Sequence, residues 1–383
     1  MNLIETYSLN SGLKIRKCKP QELFCPVPEK YITLQTSSGM EAKNYDYWLD
    51  VVEYIKNPLF AAGYTILHIG TEGDQLPYVE NFIGKTSIPQ INYVLRNSKL
   101  HIGNDSFAAH LAGMHSTPVV ALYGPTSAVN HGPHFKSDKT FLIESHRNGK
   151  KPSFSAHEDE KTINFIKPEE VANKIFEALD MEDRISEETI FVGPQYGRHY
   201  IEIVPDTVVN PRALQGQIPT IRCDYYYNEE KFAQNLSQTR CSIITDQETN
   251  IDLYKQLRHN IQNISFKVSV DTNLDYIKKL RNIGVEVRLW FDDPTDKSDI
   301  LFKFLDIEQP HFIEYKSFDV DIPDGAKYRS FKYLLSDGKI YPSKSAWTEG
   351  RAIDSPTNNL IKVIDNEKTF KNEMEYFKIV VDK

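Results

Sequence analysis

Between residues 31 and 179 the spacing of apolar positions changes several times. Residues 31–36 are a short run rich in β-branched side chains, and residues 64–69 are apolar nearly throughout, as in a strand buried on both faces of a parallel sheet. Between them Tyr47, Trp48, Val51, Val52 and Ile55 recur at helical spacing, which predicts a helix over 45–55. Further helices are predicted over 88–95, 106–115 and 167–179, the last opened by Pro168 in its first turn. Strands are predicted over 99–102 and 118–123. Residues 130–161 are polar and charged and read as an exposed loop. Strands alternating with helices through short links predict a parallel sheet covered by helices.

The acidic run 180–188 marks a boundary, after which the alternation resumes. Strands are expected over 200–204, 220–225, 242–245, 265–270, 285–291 and 312–315, with helices over 229–236, 251–261, 274–283 and 299–305. Gly284 stands where a helix C-terminus favours positive φ. Beyond residue 331 the pattern turns to short β-like pieces. The expected organisation is an extension (1–29), a first α/β domain (30–180), a linker (181–190), a second α/β domain (191–330) and a β-rich tail (331–383). For the second domain a half-barrel is the main alternative, because strand order is invisible in the sequence.

Length and composition narrow the classes. At roughly 100 to 200 residues per domain, 383 residues suggest two domains, and 40% apolar side chains suffice for buried cores. A net charge of −8 argues against a general nucleic-acid binder while allowing a local anion pocket. No run approaches the roughly 18 apolar residues of a membrane span, and the first 19 residues lack the apolar centre of a signal peptide. Cys18, Cys25, Cys223 and Cys241 form no CxxC pair and read as thiols in a reducing cytoplasm. No metal site and no cofactor are expected.

The most informative stretch is 99–113. A buried strand ends at Gly103, Asn104, Asp105 and Ser106 supply cap-type side chains, and a helix bearing His110 follows. Such a turn aims free N–H groups and a positive helix end at the carboxyl edge of a parallel sheet, where α/β proteins bind phosphates. Other strand ends carry related chemistry: Thr36, Ser37 and Ser38 with Lys43 nearby, Glu72 and Asp74 after residue 69, and Gly124 with Thr126 after residue 123. The joint pattern suits a nucleotide diphosphate, with a carboxylate of Glu72 or Asp74 on the ribose. The bland alternative is a capped helix with a core-facing His110 and a surface Lys43.

Asp105, Ser106 and Phe107, with His110-Leu111 after two intervening residues, followed by Tyr123-Gly124-Pro125-Thr126, resemble the donor-binding domain of the family 9 glycosyltransferases, the heptosyltransferases. The helix at 87–95 and the Ile166-to-Val171 helix start fit the same pattern, over residues 30–180. The resemblance implies two Rossmann-like parallel-sheet domains in a GT-B-like arrangement. It also implies metal-independent transfer of a sugar from a nucleotide-diphosphate donor to a glycan or glycolipid acceptor of the cell surface, lipopolysaccharide among them. By the same resemblance Lys43, Asp105, Ser106 and His110 hold the diphosphate, and peripheral membrane contact is compatible with such an acceptor. Phe107 replaces the family's glycine at that position. The family's acceptor domain precedes the donor domain, so here the general base is expected from the second half, where His199, Asp206 and Asp224 are candidates, or from another chain. A catalytically inactive nucleotide-sugar-binding or assembly module is the alternative. Oligomeric state is not readable.

Overall fold

The computed structural model describes residues 1–71, 73, 76–197, 200–214, 216–314, 318–353, 361–364 and 371–383. The chain divides into two compact units, residues 1–188 with Lys383, and residues 189–382.

Unit 1 holds six parallel strands, β1 (Tyr31–Gln35), β2 (Thr65–His68), β3 (Glu80–Asn81), β4 (His101–Asn104), β5 (Val119–Tyr123) and β6 (Thr140–Glu144), in the order 3-2-1-4-5-6. That order reverses direction between β1 and β4, so right-handed crossovers place helices on both faces. On one face Tyr31, Leu67, Val119, Ala121 and Tyr123 pack with helices α3 (Ile88–Asn97) and α4 (Phe107–Met114). The alternate residues Ile32, Leu34, Ile102, Val120 and Leu122 are equally buried and point to the other face. There α2 (Trp48–Ala61) and α6 (Pro168–Ala178) pack together. A single helical turn, α5 (Ala128–His131), lies on the way from β5 to β6.

Three differences from the sequence reading have physical causes. The segment 130–161 is not one exposed loop: Thr140–Glu144 forms β6, pairing along its length with β5, and Arg147 is buried. The strand's apolar residues Phe141, Leu142 and Ile143 are hidden in the sequence by the charged residues around them. The N-terminal extension holds a helix, α1 (Leu3–Ser11), with the capping box Asn2/Glu5, and Cys25 joins the core beside α3. Helix α2 runs on to Ala61 past Pro58, beyond the predicted end at 55.

Unit 2 keeps the α/β character with a different strand order. Strands β8 (Tyr200–Ile203), β9 (Thr220–Arg222), β10 (Cys241–Thr245), β11 (Ile261–Lys267), β12 (Val287–Phe291) and β13 (His311–Phe312) lie side by side in chain order, all parallel. Consecutive right-handed crossovers then put every connecting helix on one face. Accordingly α7 (Glu229–Gln238), α8 (Ile251–Gln256), α9 (Leu274–Arg281) and α10 (Lys297–Lys303) contribute to a single core with Ile221, Ile243, Ile264, Phe266 and Leu289. This consecutive order is the one a half-barrel requires.

The tail is no separate module. Strand β15 (Lys332–Ser336) pairs parallel with β8, and β16 (Lys339–Tyr341) pairs antiparallel with β15, completing the eight-stranded sheet. Strands β7 (Glu187–Val192), β14 (Lys327–Ser330), β17 (Ile361–Ile364) and β18 (Phe377–Asp382) form a second sheet in the order 17-14-18-7. Residues 187–190, assigned to a linker from their charge, therefore begin a strand. Pairing across more than a hundred residues leaves no local signature.

The β8–β15 seam is ionic. Glu202 is fully buried, with Arg222 on one oxygen and Lys332 at 3.5 Å from the other, and Lys332 also meets Glu373 at 2.9 Å. Burial pushes the Glu202 carboxyl up, but Lys332 and Arg222 outweigh it and hold it below its usual value. Removing the cation from such a buried group costs about 3–5 kcal/mol, whereas an exposed pair is worth about 1 kcal/mol or less. In urea unfolding, Lys332→Met should lose about 3–5 kcal/mol. Lys327→Met, which breaks a peripheral pair with Asp382, should lose less than about 1 kcal/mol. Equal losses would show that Lys332 is not central to the fold.

Candidate functional site

The strand order of unit 1 reverses between β1 and β4, and the carboxyl ends of the strands at such a reversal are the usual ligand position in doubly wound sheets. Three predicted cap residues stand there, and none of them caps the helix. Asn104 receives the Trp48 indole N–H at 3.2 Å and donates to the Thr36 carbonyl at 2.7 Å, tying β4 to the end of β1. Ser106, at the N-cap position of α4, turns its hydroxyl to the Gln35 side chain. Asp105 turns away to Lys43 and Thr126. Helix α4 therefore has no side-chain cap, and its first-turn N–H groups keep their donor capacity at the sheet edge.

Asp105 organises the cluster. Its Oδ2 accepts from the Thr126 hydroxyl at 2.7 Å and meets Lys43 Nζ at 2.7 Å. Both members of the ion pair are largely shielded, with side-chain exposures of 15% and 5%. One contact leaves two further ammonium donors on Lys43. His110 completes the group: burial lowers its pKa, Asp105 opposes that, and Lys43 and His131 add to it. The imidazole is thus a neutral, half-buried donor or acceptor beside a cation. Residues 67 positions apart in sequence share one electrostatic neighbourhood.

The other predicted residues are placed as follows. Thr36 pairs its hydroxyl with His68 Nε2 at 2.8 Å, on the end of β2. Gly73, with φ +139°, brings its backbone close to the hydroxyls of Thr36 and Ser37; a Cβ there would lie 3.6 Å from each. Glu72 and Asp74 on either side lie outside the described residues. Gly124 turns its open side to Ile163, whose backbone N lies 2.6 Å from where a Cβ would sit, so its small size serves chain packing. Phe107 is exposed at the start of α4.

Arg147 escaped the sequence reading. It adopts φ +48° and is buried, donating to the carbonyls of Gly124 and Thr126, both at 2.5 Å, and to Glu144 at 2.8 Å. It clamps the turn that carries Thr126 onto Asp105. Its only sequence signal is a lone arginine behind a β-branched strand end.

Among the proposed bases, His199 lies outside the described residues. Asp206 is used in a turn, accepting from the Ser336 hydroxyl and the Asp337 N–H. Asp224 forms a two-pronged pair with Arg222 at 2.8 and 2.7 Å and lines a cavity of unit 2. Among the described residues no three His, Cys, Asp or Glu side chains converge as a metal site would require.

Unit 1 is thus a doubly wound α/β domain that gathers a cation, a carboxylate, an imidazole and an uncapped helix end at its reversal point. More particularly, residues 16–163 match the family described as glycosyltransferase family 9 (heptosyltransferase), so this part of the chain is a domain of that type. A stretch of 58 residues is 34% identical to lipopolysaccharide heptosyltransferase 3 of Escherichia coli, covering 15% of this chain and 17% of that protein. The glycosyl transferase family 9 structure from Veillonella parvula shares 20% identity at a TM-score of 0.33, over 46% of this chain and 50% of that one. The dodecameric iron-containing heptosyltransferase TibC, solved with ADP-D-β-D-heptose, gives 20% and 0.33 over 40% and 46%. The chain thus spans half or less of the length of these relatives. Unit 2 lies outside the family match.

Two buried histidines of this sheet set a pH response. Burial lowers His101 to about 3 and His68 to about 4, well under the free value of about 6.5. The unfolded chain then takes up protons that the folded chain refuses, so stability is complete above about pH 6.5 and falls as pH drops towards 4. The urea midpoint should decline over that window, and His101→Gln should flatten the slope. An unchanged slope in the variant would remove His101 from the account.

Proposed function

We propose that this chain transfers a sugar, a heptose in first choice, from a nucleotide-diphosphate donor to a lipopolysaccharide-type acceptor. The observation that carries this is the joining of Lys43, Asp105, Thr126 and His110 under the uncapped end of α4. The heptose follows from the names of the matching family and of the Escherichia coli relative. A departing nucleoside diphosphate gains negative charge as the glycosidic bond breaks, and fixed donors aimed at that charge are the largest single lever on the barrier. Lys43 supplies the ammonium and α4 its N–H groups, while Thr126, clamped by Arg147, donates its hydroxyl to Asp105 and holds that carboxylate in register. Neutral His110 hydrogen-bonds a phosphate oxygen. Asp105 keeps Lys43 from swinging into solvent. Among the described residues no helix is long and apolar enough to cross a membrane. The reaction takes place in the cytoplasm, where nucleotide sugars are made, with the acceptor met at a membrane surface.

Charge-assisted hydrogen bonds are worth about 1.5–3 kcal/mol each. Lys43→Ala and His110→Ala should each weaken nucleoside-diphosphate binding by about ten- to a hundredfold in titration calorimetry. Lys43→Ala should also lower the melting temperature, because it strands Asp105 without its cation. Transfer or donor hydrolysis measured over a panel of nucleotide sugars tests the reaction itself. Tight nucleotide binding without turnover on any donor would favour an inactive binding module, and unchanged affinity in both variants would end the donor-site proposal.

A further inference from the structure

Unit 2 carries a built cavity that the donor site does not use. Because α7 to α10 all cover one face of its sheet, the other face is bare of them, and there lies a cavity of about 780 Å³. Its size falls within the range of small-ligand sites, about 300–1,000 Å³. Alternate strand residues supply its floor: Glu202 from β8, Arg222 from β9, Trp290 from β12 and Lys332 from β15. Lys344 from α11 (Lys344–Thr348) and Tyr376 contribute to the wall.

The chemistry of this lining selects its ligand. Among the described residues, five carboxylates and five Lys or Arg side chains line the cavity, and most of them neutralise one another. Arg222 grips Asp224 with two nitrogens, Lys332 meets Glu373 at 2.9 Å, and Lys267 meets Asp292 at 2.7 Å. An anionic or cationic ligand would have to compete with partners already in place and largely desolvated. A neutral, hydroxyl-rich ligand would not. It can donate to the spare carboxylate lone pairs and accept from the spare ammonium and guanidinium hydrogens while each pair stays intact. Glu202, fully buried, is held by Arg222 on one oxygen and by Lys332 at 3.5 Å from the other, so the floor beneath the cavity is neutralised and fixed.

Flat rings stand among these polar groups. Tyr376 stacks on Tyr200 with centroids 5.8 Å apart, Tyr225 stacks on Trp347 at 5.6 Å, and Trp290 is half-buried beneath Lys267. Each ring also has a cation against it, Lys332 at 4.4 Å from the Tyr376 centroid, Arg222 at 3.6 Å from that of Tyr225 and Lys267 at 5.3 Å from that of Trp290, so the aromatic and ionic groups of the wall are ordered before a ligand arrives. Rings beside paired ionic groups match a pyranose, which presents a C–H face and a rim of hydroxyls.

We propose that this cavity of unit 2 binds a neutral saccharide of about two or three sugar units, the size such a cavity encloses. The cavity's chemistry holds whether or not residues 16–163 bind a nucleotide, since every residue that forms it lies in unit 2.

The full chain would be applied to a printed array of neutral, phosphorylated and sialylated oligosaccharides, and hits measured by titration calorimetry beside a nucleoside-diphosphate titration. Retention of neutral oligosaccharides is expected, with Trp290→Ala weakening binding by about tenfold or more while nucleoside-diphosphate affinity stays unchanged. Lys344→Met, at the end of a surface helix, should weaken the same glycans severalfold and keeps the test open if Trp290→Ala lowers stability. Retention of charged glycans only, no retention at all, or neutral-glycan affinity indifferent to both substitutions would overturn the proposal. Loss of nucleotide binding with glycan binding intact would count against the donor site alone.

Discussion

The handedness of the crossover between parallel strands governs both units. A right-handed connection lays its helix on a face decided by the direction in which the next strand is added. In unit 1 that direction reverses after β1, so both faces are covered and the Lys43–Asp105 cluster lies at the sheet's carboxyl edge. In unit 2 the strands from β8 to β13 advance one way, so one face has all the connecting helices and the other has none. The same local ingredients, short apolar strands and amphipathic helices, thus yield an edge site in one case and a broad polar face in the other.

The two units handle buried charge accordingly. At the edge in unit 1, Lys43 and Asp105 form a compact pair with Thr126 as a third member, and solvent lies one side chain away. Across the sheet face of unit 2, charges are chained: Asp224 to Arg222, Arg222 to Glu202, Glu202 to Lys332, Lys332 to Glu373. A chain of this kind spreads desolvation over many hydrogen bonds and fixes the alignment of β8, β9 and β15, because a slip of one residue would turn Glu202 and Lys332 into the opposite, helix-covered face.

What the sequence discloses follows from range. Strands β1, β2 and β5 and helices α3, α4 and α6 stand close to their predicted places, because each states its own period over a single window. The gathering of Lys43, Asp105 and His110 was legible too, since a parallel sheet brings successive strand ends together. The diversion of Asn104, Asp105 and Ser106 from capping was not: their partners, Trp48, Lys43, Thr126 and Gln35, are 21 to 71 residues away. Likewise the alternation of Ile221 with Arg222, or of Leu289 with Trp290, looks like an ordinary solvent-facing strand. Only the strand order shows that those polar positions meet around a cavity.

The place of β15 bears on how the chain comes into being. Strand β8 lies between β9 and β15, and Lys332 is beside Tyr200 although 132 residues separate them. During synthesis β8 to β13 leave the ribosome first and can associate in order through local βα steps. Glu202 meanwhile remains without Lys332, and the edge of β8 without its second neighbour. Closing so long a loop is the slow step in such topologies. The half-made sheet therefore has an interval with an open edge and an acid lacking one of its cations, the interval in which a chaperone has something to hold.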